Sequence, residues 1–188
     1  MRIFYDLKQL SSSSNFFVFL DTNCLIGAFV YPNIFSKLFD DLKKLSCEFL
    51  TIPSVAFEFT RGTKTVEEFN SKLEFLENLA SIYQIEKHLE DFKDLTITLQ
   101  KIKGSASYTD FLLIAALYKF RKAPSYLLNS NHSDCPIDIL DREAIVTVDT
   151  DKDIKNYGLY RFSEEKYSKA AENILKAKKD NSDESFNF

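Results

Sequence analysis

Two periods organise the apolar positions of the chain. Five apolar residues, Phe16-Phe17-Val18-Phe19-Leu20, run without interruption and stop on Asp21-Thr22-Asn23. A short run that is apolar on both faces predicts a strand buried inside a parallel sheet. Cys47–Ile52 (CEFLTI) and Ala144–Val148 (AIVTV) read the same way, and Tyr157–Phe162 reads as a last short strand. Between them the period changes to 3.6. Pro32-Asn33 opens a helix whose apolar positions are Ile34, Phe35, Leu38, Phe39, Leu42 and Leu45. Pro53 ends the second strand, and Ser54 is placed to cap a short helix. Thr65-Val66-Glu67-Glu68 has capping-box spacing ahead of Phe69, Leu73, Leu76 and Ala80. Residues 85–102 follow as a helix, and Ser107–Phe120 is the most apolar helix of all. Residues 123–138, rich in Asn, Ser and Pro, predict a long loop. From Ser163 a helix carries Tyr167, Ala171 and Ile174 on one face, and the polar stretch Lys179–Asn187 is expected to be disordered.

Strands alternating with helices predict an α/β fold with a mainly parallel sheet. The chain divides into an N-terminal lead (1–15), one domain (16–162) and a C-terminal helix with its tail (163–188). In such a fold the C-terminal ends of the strands lie on one edge, and ligands bind there.

The acids fall on that edge. Asp21 follows the first buried strand, and Asp149 follows AIVTV, with Asp151 and Asp153 just after it. Glu58 lies in the first turns of the helix after the second strand, and Asp110 in the first turn of the apolar helix. Each has an ordinary structural reading as well. Asp21 suits a turn or cap, Glu58 a helix N-terminus, and Ser107-x-x-Asp110 a capping box. The Asp149-x-Asp151-x-Asp153 spacing is not an EF-hand loop, because Ile154 and Tyr160 stand where Gly and Glu are needed. Carboxylates delivered to one rim from four distant segments repel one another, which favours protonating one of them. A hard divalent ion, Mg²⁺ or Mn²⁺, relieves that repulsion and suits oxygen-only ligands. The expected ligands are Asp21, Glu58, Asp110, Asp149 and Asp151. One or two such ions activate water for phosphodiester hydrolysis. Thr22, Asn23 and Thr147 are placed to orient the ligands, and Arg61 to contact phosphate, with Lys64, Arg121 and Lys122 as further candidates.

Composition narrows the reading only a little. A net charge of −4 argues against holding nucleic acid by bulk electrostatics, but not against an enzyme whose acids are neutralised by a metal. Three Cys (Cys24, Cys47, Cys135) form no disulfide framework and suit a reducing, cytoplasmic setting. Only His132 and Cys135 lie near one another, so no zinc site is expected. No apolar run reaches membrane-spanning length, and the N-terminus lacks the apolar segment of a secretory signal.

In FFVFLDTNCLIG, SVAFEFTRG, SYTDFLLIAAL and IVTVDTDKD, taken in that order, the chain resembles the PIN-domain family of metal-dependent ribonucleases, which includes toxins of toxin–antitoxin pairs. The resemblance implies a Rossmann-like three-layer α/β/α sandwich, a Mg²⁺ or Mn²⁺ site and cutting of RNA by activated water. It carries the family's acidic quartet onto Asp21, Glu58, Asp110 and Asp149, with Asp151 as an additional polar residue. The expected partners are an RNA substrate and an antitoxin protein, and a homodimer is left open. The alternative is a non-catalytic PIN scaffold that binds RNA or a protein. A dehalogenase-like phosphatase ranks below both, since it wants Asp-x-Asp and position 23 is Asn.

Overall fold

A seven-stranded sheet forms the centre of the computed structural model, which describes residues 2–7, 10, 15–102, 107–150 and 153–183, without the side chains of 89, 91 and 177–183. The strands are β1 (Arg2–Tyr5), β2 (Phe16–Leu20), β3 (Cys47–Thr51), β4 (Ser81–Ile82), β5 (Ser125–Asn129), β6 (Leu140–Asp149) and β7 (Ile154–Phe162). Their order across the sheet is β1-β6-β7-β5-β2-β3-β4. Strands β5, β2, β3 and β4 run parallel. The ladders β1–β6, β6–β7 and β5–β7 are antiparallel. The α/β class is as expected, but the sheet is mixed rather than mainly parallel, and the antiparallel ladders pair more of its residues. The cause is local. β6 and β7 are joined by a short connection in which the Thr150 amide and hydroxyl both donate to the Asp153 carbonyl, at 2.9 and 2.8 Å. A connection that short can only make a hairpin.

The helices are α1 (Thr22–Val30), α2 (Pro32–Lys44), α3 (Pro53–Thr60), α4 (Val66–Leu79), α5 (Lys93–Ile102), α6 (Tyr108–Lys119) and α7 (Glu164–Asp183), with a 3-10 stretch at Ile85–Phe92. They flank the sheet. Phe39 of α2 meets Phe49 of β3 edge-on (5.0 Å). Phe120, at the end of α6, meets Phe17 and Phe19 of β2 (5.0 and 5.4 Å). Phe16, Val18, Phe19 and Leu20 are fully buried, which is why β2 shows no polar alternation. None of the helices among the described residues is long and apolar enough to cross a membrane.

Several elements differ from the sequence expectation. The lead contains β1, an edge strand whose alternate residues are exposed. Helix α1 is not announced by a stripe, because Ile26 and Val30 point outward while Cys24, Leu25 and Ala28 are buried. Helix α3 begins at Pro53 with Ile52 as its cap, so Ser54 lies inside the first turn. The expected long loop contains β5, all of it buried. Its polar ends escape a hydropathy reading because Ser125 and Asn129 are themselves buried. Helix α7 continues to Asp183, so residues 179–183 are helical; the rest of the expected tail lies outside the described residues.

Gly27 couples α1 to the antiparallel half of the sheet. A Cβ added there would lie 2.6 Å from the hydroxyl of Tyr157 and 3.1 Å from Phe35. Tyr157 is buried and braced edge-on by Phe35 (5.5 Å), so it has little room to retreat. Gly27→Ala is expected to lower unfolding free energy by about 1–3 kcal/mol, despite the better helix propensity of Ala. Adding Tyr157→Phe should return part of that loss. Urea denaturation of the two single variants and the double variant checks both signs.

Candidate functional site

Asp21 stands where β2 ends and α1 begins. Its amide donates to the Leu128 carbonyl of β5 (3.3 Å), and its own carbonyl accepts from the amides of Cys24 and Leu25 (3.0 and 3.1 Å). The backbone is therefore committed to both neighbouring elements, and the carboxylate is left at the rim with only 7% of the residue exposed. Asn23 Nδ2 donates to Asp21 Oδ2 (2.5 Å) and to Asn129 Oδ1 (2.9 Å). Asn23 Oδ1 accepts from the Ser130 amide (3.0 Å), and Asn129 Oδ1 accepts from the Asn131 amide (2.6 Å). An amide network thus ties the end of β2 to the end of β5.

Glu58 reaches the same place from α3. Thr22 Oγ1 donates to its Oε2 (2.8 Å), and Thr109 Oγ1, from α6, donates to its Oε1 (2.5 Å). One carboxylate therefore joins three helices. Asp110 completes a capping box: its Oδ2 accepts from the Ser107 amide (3.1 Å) and hydroxyl (2.7 Å), while its own amide donates to Ser107 Oγ (3.1 Å). The cap and the acidic cluster are not alternatives, because the capped residue still lines the cleft. The fourth acid is Asp134, on the 3-10 turn His132–Asp134 that follows β5; its Oδ2 accepts from Asn131 Nδ2.

The four acids line one cleft of about 310 Å³ with Thr22, Asn23, Thr109 and Ile26, and among the described residues no Lys, Arg or His lines it. The charge has a visible cost. Asp21 is pushed up from its ordinary value of 3.8 to about 7, first by burial and then by the negative charges of Asp110, Glu58 and Asp134, while the Thr22 amide pulls the other way. Desolvation, rather than repulsion between the acids, is the larger cause.

Asp149 stands apart. It is the last residue of β6, paired with Ile154 across the hairpin and with Arg2 of β1. Strands β7 and β5 lie between it and β2, a displacement of roughly 14 Å at ordinary strand spacing. Asp153 closes the hairpin through Thr150, and Thr147 donates to Asn156 Oδ1 (2.7 Å). Asp151 lies outside the described residues. Arg61 is exposed at the C-terminal end of α3 and is not among the cleft's lining residues. Thr22 and Asn23 donate to Glu58 and Asp21 respectively. Asp134, Thr109, Asn129 and Asn131 were missed. A signal for them existed: SYLLN followed by polar residues repeats the pattern of FFVFL followed by DTN.

The donors suit a hard cation, being carboxylate oxygens with no positive side chain beside them. As they stand, the acids are engaged by Thr, Asn and Ser donors, and no group of three or more His, Cys, Asp or Glu among the described residues is placed to hold a metal ion. Mg²⁺ bound to protein is held through one or two carboxylates and otherwise keeps its waters. Comparison with known proteins returned no match, either to family models, to curated proteins or to solved structures.

Asp21 has a pH consequence in metal-free protein. Its folded value lies above the unfolded one, so the native state holds a proton that the unfolded chain releases between about pH 4 and 7. Its contribution is fully present below about pH 4, is lost as pH rises toward 7, and is flat above. Asp21→Asn is expected to remove this slope and to be more stable than the parent at pH 8 by on the order of 3 kcal/mol. Urea denaturation at pH 5 and 8 in EDTA tests this. Equal slopes for the two proteins would show that the burial of Asp21 carries no such cost.

Proposed function

We propose that the chain is a PIN-type, Mg²⁺- or Mn²⁺-dependent endoribonuclease with a three-layer α/β/α arrangement, in which Asp134 takes the fourth acidic place expected of Asp149. One observation carries the reading: Asp21, Glu58, Asp110 and Asp134, from four separate segments, line a single cleft, with no Lys, Arg or His lining it among the described residues. Asp21 follows β2 and Asn129 ends β5, adjacent parallel strands, at the edge where α/β proteins bind ligands.

In this reading Asp21, Glu58, Asp110 and Asp134 hold the ion and its waters. A divalent cation held there supplies an acidified water and charge neutralisation on the phosphate. Thr22 and Thr109 fix both oxygens of Glu58, which sets the direction of that carboxylate before substrate arrives. Asn23 holds Asp21 and keeps one of its oxygens engaged. Burial of Asp21 strengthens its electrostatic pull on a cation, because little water competes.

The same hydrogen bonds favour a second reading. Acids already satisfied by Thr, Asn and Ser donors suit a non-catalytic scaffold that binds RNA or a protein. An antitoxin or a second copy of the chain as partner belongs with the first reading.

Single-stranded RNA incubated with Mg²⁺ or Mn²⁺ separates the two. Cleavage is expected, is abolished by EDTA, and falls at least about 100-fold in Asp21→Asn, Glu58→Gln and Asp134→Asn, while Asp149→Asn retains it. Millimolar Mn²⁺ should also raise the melting temperature, since it binds the native state. RNA bound but left intact, with no effect of Mn²⁺ on melting, would select the scaffold.

A further inference from the structure

We propose that Tyr160, acting through His132, is a positioning residue that holds Asp134 in the acidic cleft; what Asp134 does there rests on the function proposed above. Tyr160 lies in β7, opposite Leu127 of β5, and Gly158 lies opposite Asn129. Its position in the ladder is thus two residues below the rim. The side chain makes up that distance. A Cβ added to Gly158 would lie 2.5, 2.6 and 2.8 Å from atoms of the Tyr160 ring and hydroxyl. The ring therefore leans over Gly158 toward the end of β5, and glycine is required there because the ring occupies the space a side chain would need.

The turn that carries Asp134 starts where the ring arrives. His132 Nδ1 and the Tyr160 hydroxyl are hydrogen-bonded, with the rings tilted at 58° and their centroids 6.1 Å apart. Burial pushes the phenol up to about 12, so it keeps its proton to share. Within the turn the Asp134 amide donates to the Asn131 carbonyl (3.1 Å), and the Cys135 amide to the His132 carbonyl (3.3 Å). Ser133 Oγ donates to Asn131 Oδ1 (2.6 Å), and Asn131 Nδ2 donates to Asp134 Oδ2. The turn is tied to Asn129 through the Asn131 amide, and to Tyr160 through His132. These two anchors fix the direction in which Asp134 projects. The antiparallel hairpin, none of whose described acids lines the cleft, would then support the turn that carries Asp134. Arg142 and Cys135 are the other polar neighbours of the hydroxyl.

The test is residue-resolved amide hydrogen exchange on the full, metal-free chain. In Tyr160→Phe the Asp134 and Cys135 amides should exchange roughly five- to tenfold faster, as for the loss of one hydrogen bond. The Cys24 and Leu25 amides, bonded to Asp21, should not change. His132→Ala should reproduce the effect, and His132→Asn, which keeps an acceptor near the Nδ1 position, should largely restore the parent rate. Should Tyr160→Phe fail to fold, His132→Ala carries the same measurement. Mn²⁺ affinity, read by electron paramagnetic resonance, should fall about tenfold in Tyr160→Phe. Unchanged turn amides in either folded variant would overturn the proposal, and so would parental Mn²⁺ affinity in Tyr160→Phe. Failure of the parent chain to bind Mn²⁺ would instead count against the proposed function, leaving exchange to decide the clasp.

Discussion

A carboxylate held at the end of a buried central strand is the constraint around which the molecule is arranged. Strand β2 has neighbours on both sides and apolar residues on both faces, so its C-terminus cannot be moved without opening the core. Asp21 is therefore fixed in place by packing, although its own carboxylate loses hydration there. Buried polar groups persist when they are hydrogen-bonded and are costly when they are not. The amides of Thr22 and Asn23 offset part of that cost. What remains is an elevated pKa, raised chiefly by burial.

The polar network around Asp21 joins elements distant in sequence. Glu58 brings α1, α3 and α6 together through two threonines. Asn23 and Asn129 join the ends of β2 and β5. The Thr and Asn side chains are short, so less rotamer entropy is lost in fixing them than in fixing Glu58. The result is a preorganised cleft, in which neutral donors orient acids that would otherwise push one another apart. The antiparallel half of the sheet enters this arrangement indirectly, with Tyr157 packed against α1 at Gly27 and Tyr160 bonded to the turn beyond β5.

Much of the fold was legible where one period ruled a whole element. The stripe Ile34, Phe35, Leu38, Phe39 and Leu42 is the buried face of α2, and Ser107 caps α6 as its spacing indicated. Legibility failed where burial did not follow hydropathy. Strand β5 begins on Ser125 and ends on Asn129, both buried, and it sits among turn-forming residues. Helix α1 is short, contains Gly27 and exposes Ile26 and Val30, so no face announced itself. Asp149 resembled a ligand in sequence because a hairpin turn and a ligand loop draw on the same residues, Asp and Thr.

Local chemistry written in the chain determined the α/β class, the buried strand ending on Asp21, the acids Glu58 and Asp110, and the small polar residues beside them. These follow from periodicity and from capping rules, which depend on neighbours a few residues apart. Strand order was decided by the tertiary structure alone. It inserts β7 and β5 between β6 and β2, carries Asp149 out of reach and brings Asp134 in. Which strands become neighbours depends on how distant apolar faces pack together, and no local pattern of residues encodes that distance.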